Sequence, residues 1–385
     1  MKLFKNLYSL QIILFAVIFL AGCSSKKSKM PTGPEENPTR TNDFLVDTLA
    51  TPETIALFKN LKELAKTGVL FGHQDDLAYG VNWNTESGRS DVKEVGGDYP
   101  AVYGWDLGDI HSTNNLDGVN FSFMKLWIAE GFKRGGIITI SMHLDNPVTS
   151  GDAWNNTPAV GAILPGKSHH AKYLKTLDLI AQFLKDLKIA ENVYIPVIFR
   201  PYHEHNHTWA WWGSNSCSVD DYNTLWRMTV EYLRDTHKIH HLLYAISPQE
   251  INSEAEYLAR YPGDKYVDIL GLDYYKLYDK KYVPELGKVL ELIVKMAEQR
   301  GKIAALTETG VDKVPFANFW TDYLLAALKY NEESKKVAWS LVWRNASKQH
   351  HFAPYPGHFS AANFVRFYDD PLTLFEKDLP DLYHE

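Results

Sequence analysis

The chain has 385 residues, 45% hydrophobic and 23% charged, enough for one large domain with a deep core, which excludes disorder, collagen-like repeats and a disulfide scaffold. Forty basic against 47 acidic side chains leave a formal charge of −7, which argues against nucleic acid as a partner because phosphate binding needs a basic surface. Aromatic residues make up 13%, with 11 Trp and 22 Tyr, and many stand beside Gly, Asn, His and Asp, a pattern that suits a cleft with flat apolar faces next to hydrogen-bonding groups.

At the N-terminus Lys2 and Lys5 precede an apolar run over 10–20, broken only by Gln11, that ends in Leu20-Ala21-Gly22-Cys23. The run is shorter than the roughly 20 apolar residues of a membrane span. It resembles a bacterial lipoprotein signal cleaved before Cys23, whose thiol then carries the lipid. Residues 1–22 are therefore expected to be a signal peptide, 23–50 a flexible tether poor in apolar residues, and 51–385 a single domain. The Ser-Ser-Lys-Lys-Ser-Lys that follows Cys23 lacks the acidic run of a surface-export signal, so a periplasmic-facing anchor is preferred over the cell surface. The remaining cysteine, Cys217, leaves no intramolecular disulfide in the mature chain.

From residue 69 onward eight short β-branched and aromatic runs follow at fairly even intervals: 69–73, 101–107, 137–143, 194–204, 242–247, 266–275, 302–309 and 337–345. Between them lie stretches such as 173–187 and 286–299, whose Leu, Ile and Val recur at three- and four-residue steps. This alternation predicts an α/β fold, a (β/α)8 TIM barrel of parallel strands linked by helical crossovers. The rival is a doubly wound open sheet. Against it, the first strand is followed by Phe71-Gly72-His73-Gln74-Asp75-Asp76, which offers carboxylates where a nucleotide site would want amides. His73, Trp105-Asp106, His143, His203-Glu204, Asp273 to Tyr275, Glu308 and Trp343-Arg344 all fall at the C-terminal ends of predicted strands, the active-site face of a barrel.

Two of these segments carry chemistry. Arg200-Pro201-Tyr202-His203-Glu204-His205-Asn206-His207 matches H-E-x-x-H, but zinc binding by that motif needs both His on one helical face, and Pro201 and the preceding strand-like residues argue against a helix there. Leu306-Thr307-Glu308-Thr309-Gly310 sets a carboxylate at the end of an apolar run, where it is costly to desolvate without a partner or a task. Glu204 and Glu308 would end strands four and seven, close enough across a barrel mouth to flank one bond. Paired carboxylates are the equipment of glycoside hydrolysis, about 5–5.5 Å apart for retention and roughly 6.5–9.5 Å for inversion.

These residues resemble glycoside hydrolase family 26, chiefly β-mannanases, over roughly residues 50–370. The resemblance rests on Ser141-Met142-His143-Leu144-Asp145-Asn146-Pro147, on Arg200 to Glu204 with Trp209-Ala210-Trp211-Trp212-Gly213, on Leu272-Asp273-Tyr274-Tyr275, on Thr307-Glu308-Thr309-Gly310 and on Trp343-Arg344. It implies Glu204 as acid/base and Glu308 as nucleophile of a retaining β-1,4-mannanase without metal or cofactor. It places His143, His203, Trp209, Asp273, Tyr275, Trp343 and Arg344 around the substrate; Arg200 and Trp212 are counted with them, and Trp154, in the third loop, is expected to reach an outer subsite. Arg200 is expected to brace the carboxylates and Tyr275 to hold the nucleophile ionised. The polar loop 108–120 could close one end of the cleft, which would favour release of disaccharide from a chain end over cutting at internal bonds; both an endo-acting and a mannobiose-releasing enzyme stay open. The partners expected are a β-mannan, with the membrane reached only through the lipid, and a monomeric state. The alternatives are another β-glycanase, of xylanase or lichenase type, and a non-catalytic carbohydrate-binding lipoprotein.

Overall fold

The computed structural model describes residues 44–384, so the lipoprotein signal and Cys23 lie outside the described residues. Eight parallel strands run Val69–Gln74 (β1), Val102–Asp106 (β2), Ile137–Ser141 (β3), Val197–Arg200 (β4), Leu242–Ile246 (β5), Ile269–Tyr274 (β6), Ile303–Thr309 (β7) and Trp339–Val342 (β8). Each pairs with the next, and β8 returns to β1, Trp339 opposite Leu70 and Val342 opposite His73, so the sheet closes into a barrel. A closed barrel covered by helices buries both faces of every strand. This is why β3 reads Ile-Ile-Thr-Ile-Ser, with every position buried.

The helices supply the outer layer. Val283–Gln299 takes Pro284 in its first turn, where the missing N–H costs nothing, and turns Leu286, Leu290, Ile293, Val294 and Ala297 inward. His170–Asp186 does the same with Tyr173, Leu177, Ile180 and Leu184. Among the described residues no helix is long and apolar enough to cross a membrane.

Three boundaries differ from the sequence reading. The expected strand 194–204 ends at Arg200, because Pro201 has no N–H to continue the ladder, and Val193–Tyr194 pairs instead with Lys188–Ala190 in a separate antiparallel ribbon. Tyr266 closes a short 3-10 turn, Asp264–Tyr266, ahead of β6. The end of the expected tether is also packed: Leu45, Val46 and Ala50 are buried, the Val46 N–H donates to the sealed Asp268 at 2.8 Å, and Asp47 pairs with His240 at 2.7 Å. The folded domain thus includes residues 45–50, which the composition of that stretch concealed.

Candidate active site

The site is built outward from Arg200, the last residue of β4. Its guanidinium is buried and donates to Ser247 Oγ at 2.9 Å, to Asp273 Oδ2 at 2.9 Å and to Glu308 Oε1, tying the ends of β4, β5, β6 and β7 together. A register shift between β6 and β7 moves the pairing from Leu272 opposite Leu306 to Asp273 opposite Glu308, the local bend expected of a bulge. Asp273 is fully buried and also accepts from Ser247 Oγ at 3.0 Å and Thr307 Oγ1 at 2.6 Å, so it serves as the counter-charge beneath Arg200.

Beyond Pro201 the chain turns sharply, with Tyr202 at φ 48° and Glu204 at φ 52°. A glutamate in the left-handed region costs on the order of 1–3 kcal/mol and persists only when its surroundings hold it. Here the Glu204 N–H donates to the Ser247 carbonyl at 2.7 Å, and the Trp209 indole N–H donates to Glu204 Oε2 at 2.6 Å. Residues 202–213 run as turns and bends, so His203 and His207 share no helical face and the zinc reading of H-E-x-x-H has no geometric basis.

Glu204, Asp273 and Glu308 each bring one carboxylate oxygen within 4.8 Å of the others. The cation among them is Arg200, which bonds two of the three. Burial first, then repulsion from Asp273 and Glu308, raises the Glu204 pKa well above the ordinary carboxyl value, which favours its protonated form. Both oxygens of Glu308 are occupied as acceptors, one by Arg200 and the other by Tyr275 OH at 2.9 Å. A buried carboxyl group with a raised pKa thus lies beside one whose two oxygens both accept hydrogen bonds from the protein.

The aromatic residues divide by exposure. His143, Trp154 and Trp209 form a contiguous group in which His143 stacks on both indoles, with centroids 5.4 Å (His143–Trp154), 5.6 Å (His143–Trp209) and 5.8 Å (Trp154–Trp209, tilted) apart. Trp154 is 52% exposed and carries this platform outward. Trp343 borders it, its ring 6.0 Å from that of His143. Trp212 corrects the expectation of substrate contact: it has no exposed surface, and its N–H donates to the His203 carbonyl at 2.8 Å, so it supports the cleft floor from behind. Asp273 is corrected in the same way by its burial. His203 is sealed between the rings of His143 and Trp212, and burial together with Arg200 holds its pKa well below the usual imidazole value.

Arg344 stands at one end of the cleft. It pairs with Asp117 of loop 108–120 at 2.8 Å and donates to Tyr79 OH at 3.2 Å. A groove of about 680 Å³ opens beside this contact, lined by Tyr79, Asn82, Asn84, Asp117, Arg344 and Lys348 among others.

The family model of glycosyl hydrolase family 26 matches residues 46–343. The chain belongs to this family. A mannan endo-1,4-β-mannosidase of Bifidobacterium adolescentis is 36% identical over 313 residues, 77% of this chain and 31% of the relative, so the chain spans about a third of that protein's length. A mannan endo-1,4-β-mannosidase of Bacillus subtilis is 31% identical over 66% of this chain and 68% of its own. Among solved structures, a GH26 β-mannanase from Bacteroides ovatus superposes with a TM-score of 0.83 at 44% identity, over 87% of this chain and 98% of that one. The eight-stranded barrel of this family 26 member is therefore the expected TIM barrel.

Several functional contacts escaped the sequence reading. Ser247 and Thr307 order Asp273, and Tyr79 and Asp117 hold Arg344, yet nothing in their own segments assigned them these partners. Asp106 stood out at a strand end, but its partner is 37 residues away.

Proposed function

We propose that this family 26 enzyme hydrolyses β-1,4-mannosidic bonds of mannan, galactomannan or glucomannan by double displacement, with Glu204 as acid/base and Glu308 as nucleophile. The observation that carries the reading is the carboxylate pair itself. Oxygens within 4.8 Å of each other support the roughly 5–5.5 Å separation of retaining enzymes over the roughly 6.5–9.5 Å of inverting ones. In the first step Glu308 attacks the anomeric carbon while Glu204 gives its proton to the departing glycosidic oxygen. Glu308 then loses its charge in the ester, the repulsion on Glu204 falls, and Glu204 can take a proton from the water that hydrolyses the intermediate. The relatives' mannosidase activity supports mannan as the glycan.

The test is hydrolysis of mannan by Glu204→Ala and Glu308→Gln, the latter leaving Arg200 an acceptor. Turnover should fall by orders of magnitude with unchanged circular dichroism. Near-wild-type hydrolysis by either variant would end the assignment, and faster hydrolysis of xylan or mixed-linkage glucan would move it to another β-glycanase.

The Asp117–Arg344 contact bears on the mode of attack. It joins loop 108–120 to the end of β8, which supports release of mannobiose from a chain end, whereas the relatives' names as endo-1,4-β-mannosidases support internal cutting. A ladder of sizes from a long mannan would mean internal cutting, and mannobiose as the sole early product chain-end release. The leader reading supports lipid attachment at Cys23 and a periplasmic-facing anchor. Digestion by proteinase in intact cells would contradict that placement.

A further inference from the structure

β2 and β3 end side by side, with Asp106 opposite Ser141, and Asp106 itself is sealed from solvent. Its carboxylate receives four donors. Oδ1 accepts from the backbone N–H of Gly108 at 2.6 Å and of His143 at 3.0 Å, and Oδ2 accepts from Ser141 Oγ at 2.6 Å and contacts His143 Nδ1 at 2.8 Å. A carboxyl group so surrounded has no acceptor free to face and no room for its own proton, so it is ionised and His143 Nδ1 carries the hydrogen. Among the described residues the other ring nitrogen, Nε2, has no hydrogen-bond partner, and it is not among the atoms sealed away from solvent. It is the edge of His143 left to the cleft, within the aromatic platform that begins at the indole bonded to Glu204.

We propose that Asp106 is a positioning residue that locks the ring plane and the Nδ1–H of His143, so that Nε2–H is presented to the bound sugar as a charged donor. The identity of the sugar rests on the mannanase reading, whereas the Asp106–His143 pair does not. The groups around His143 are Asp106 from β2, Asp117 from loop 108–120, Glu308 from β7, Arg200 from β4 and His203 from the turn that follows. Burial alone would discourage a proton on His143, but Asp106 first, then Glu308 and Asp117, outweigh it and raise its pKa. His203 is kept neutral, so two rings with centroids 4.5 Å apart do not oppose each other. The arrangement uses a buried carboxylate to charge a substrate-facing imidazole without exposing a second acid beside the catalytic pair.

The test follows His143 by long-range 1H–15N NMR and, on the same preparations, kcat and KM across about pH 5–8, in wild type and Asp106→Asn. His143 of the wild type should stay protonated above the ordinary imidazole midpoint. In Asp106→Asn its midpoint should drop by about one unit or more, and kcat/KM at the alkaline end should fall roughly tenfold, mainly through KM, with the deficit narrowing toward pH 5 as His143 gains its proton unaided. A wild-type His143 that is neutral at pH 6 would overturn the proposal whether or not the variant folds, as would a deficit in kcat that is constant with pH. If no mannan were hydrolysed at all, the NMR titration would still decide the Asp106–His143 pair, which separates failure of this proposal from failure of the mannanase reading.

Discussion

Replacing Glu308 by Gln should lower the pKa of Glu204 while keeping the shape of the site. Glu204 is raised by burial first, then by Asp273 and Glu308, so removing the last of these charges should bring it down without returning it to the ordinary carboxyl value. Two unit charges with oxygens within 4.8 Å interact by about 3 kcal/mol at an effective dielectric of about 20, equivalent to about two pKa units. Arg200 already neutralises part of the Glu308 charge through its direct contact, so a fall of about one unit is the expected net effect. The midpoint is read from carboxyl 13C shifts of labelled glutamate as pH is raised, in wild type and variant. Because the acid must be protonated to act, the wild-type alkaline limb of kcat/KM should coincide with the higher of the two midpoints. An unchanged or higher Glu204 midpoint in Glu308→Gln would refute the mutual repulsion on which the switch from acid to base depends.

The exposed and buried indoles should separate cleanly. Trp154→Ala should raise KM about five- to tenfold with kcat nearly unchanged, whereas Trp212→Phe should leave KM alone and lower unfolding free energy by about 1 kcal/mol through the lost bond to His203. Gly271→Ala should destabilise by about 2 kcal/mol in a thermal melt, since a Cβ there meets Thr307 Oγ1 at 2.7 Å and the Ile246 carbonyl at 3.0 Å. Dialysis against a chelator should leave activity intact, because the cation among the three carboxylates is Arg200; loss of activity that zinc restores would show that a metal acts there instead.

The parts of this fold legible in the sequence are those with a local period. The continuous apolar runs of β3 and β7 and the amphipathic stretch before residue 299 announce strands and helix directly, and polar residues at strand ends mark the open face of the barrel. Glu308 was legible because it ends an apolar run, and Glu204 because it falls in an H-E-x-x-H match at the end of a predicted strand. What escaped depends on contacts between distant segments. Residues 45–50 look like linker until Asp268 and His240 are beside them. Trp212 looks like a sugar platform because composition does not reveal which side of a turn an indole occupies. Tyr79, Asp117 and Asp106 acquire roles only when the barrel brings β1, β2, β3 and β8 into register.

The central claim, a two-step reaction through an ester on Glu308, is tested most directly by the anomeric configuration of the first product. Proton NMR of the new reducing end, recorded within the first minutes of mannan hydrolysis and before mutarotation, should show the β-anomer growing first. Initial appearance of the α-anomer would mean a single displacement by water and would contradict the assignment of Glu308 as nucleophile.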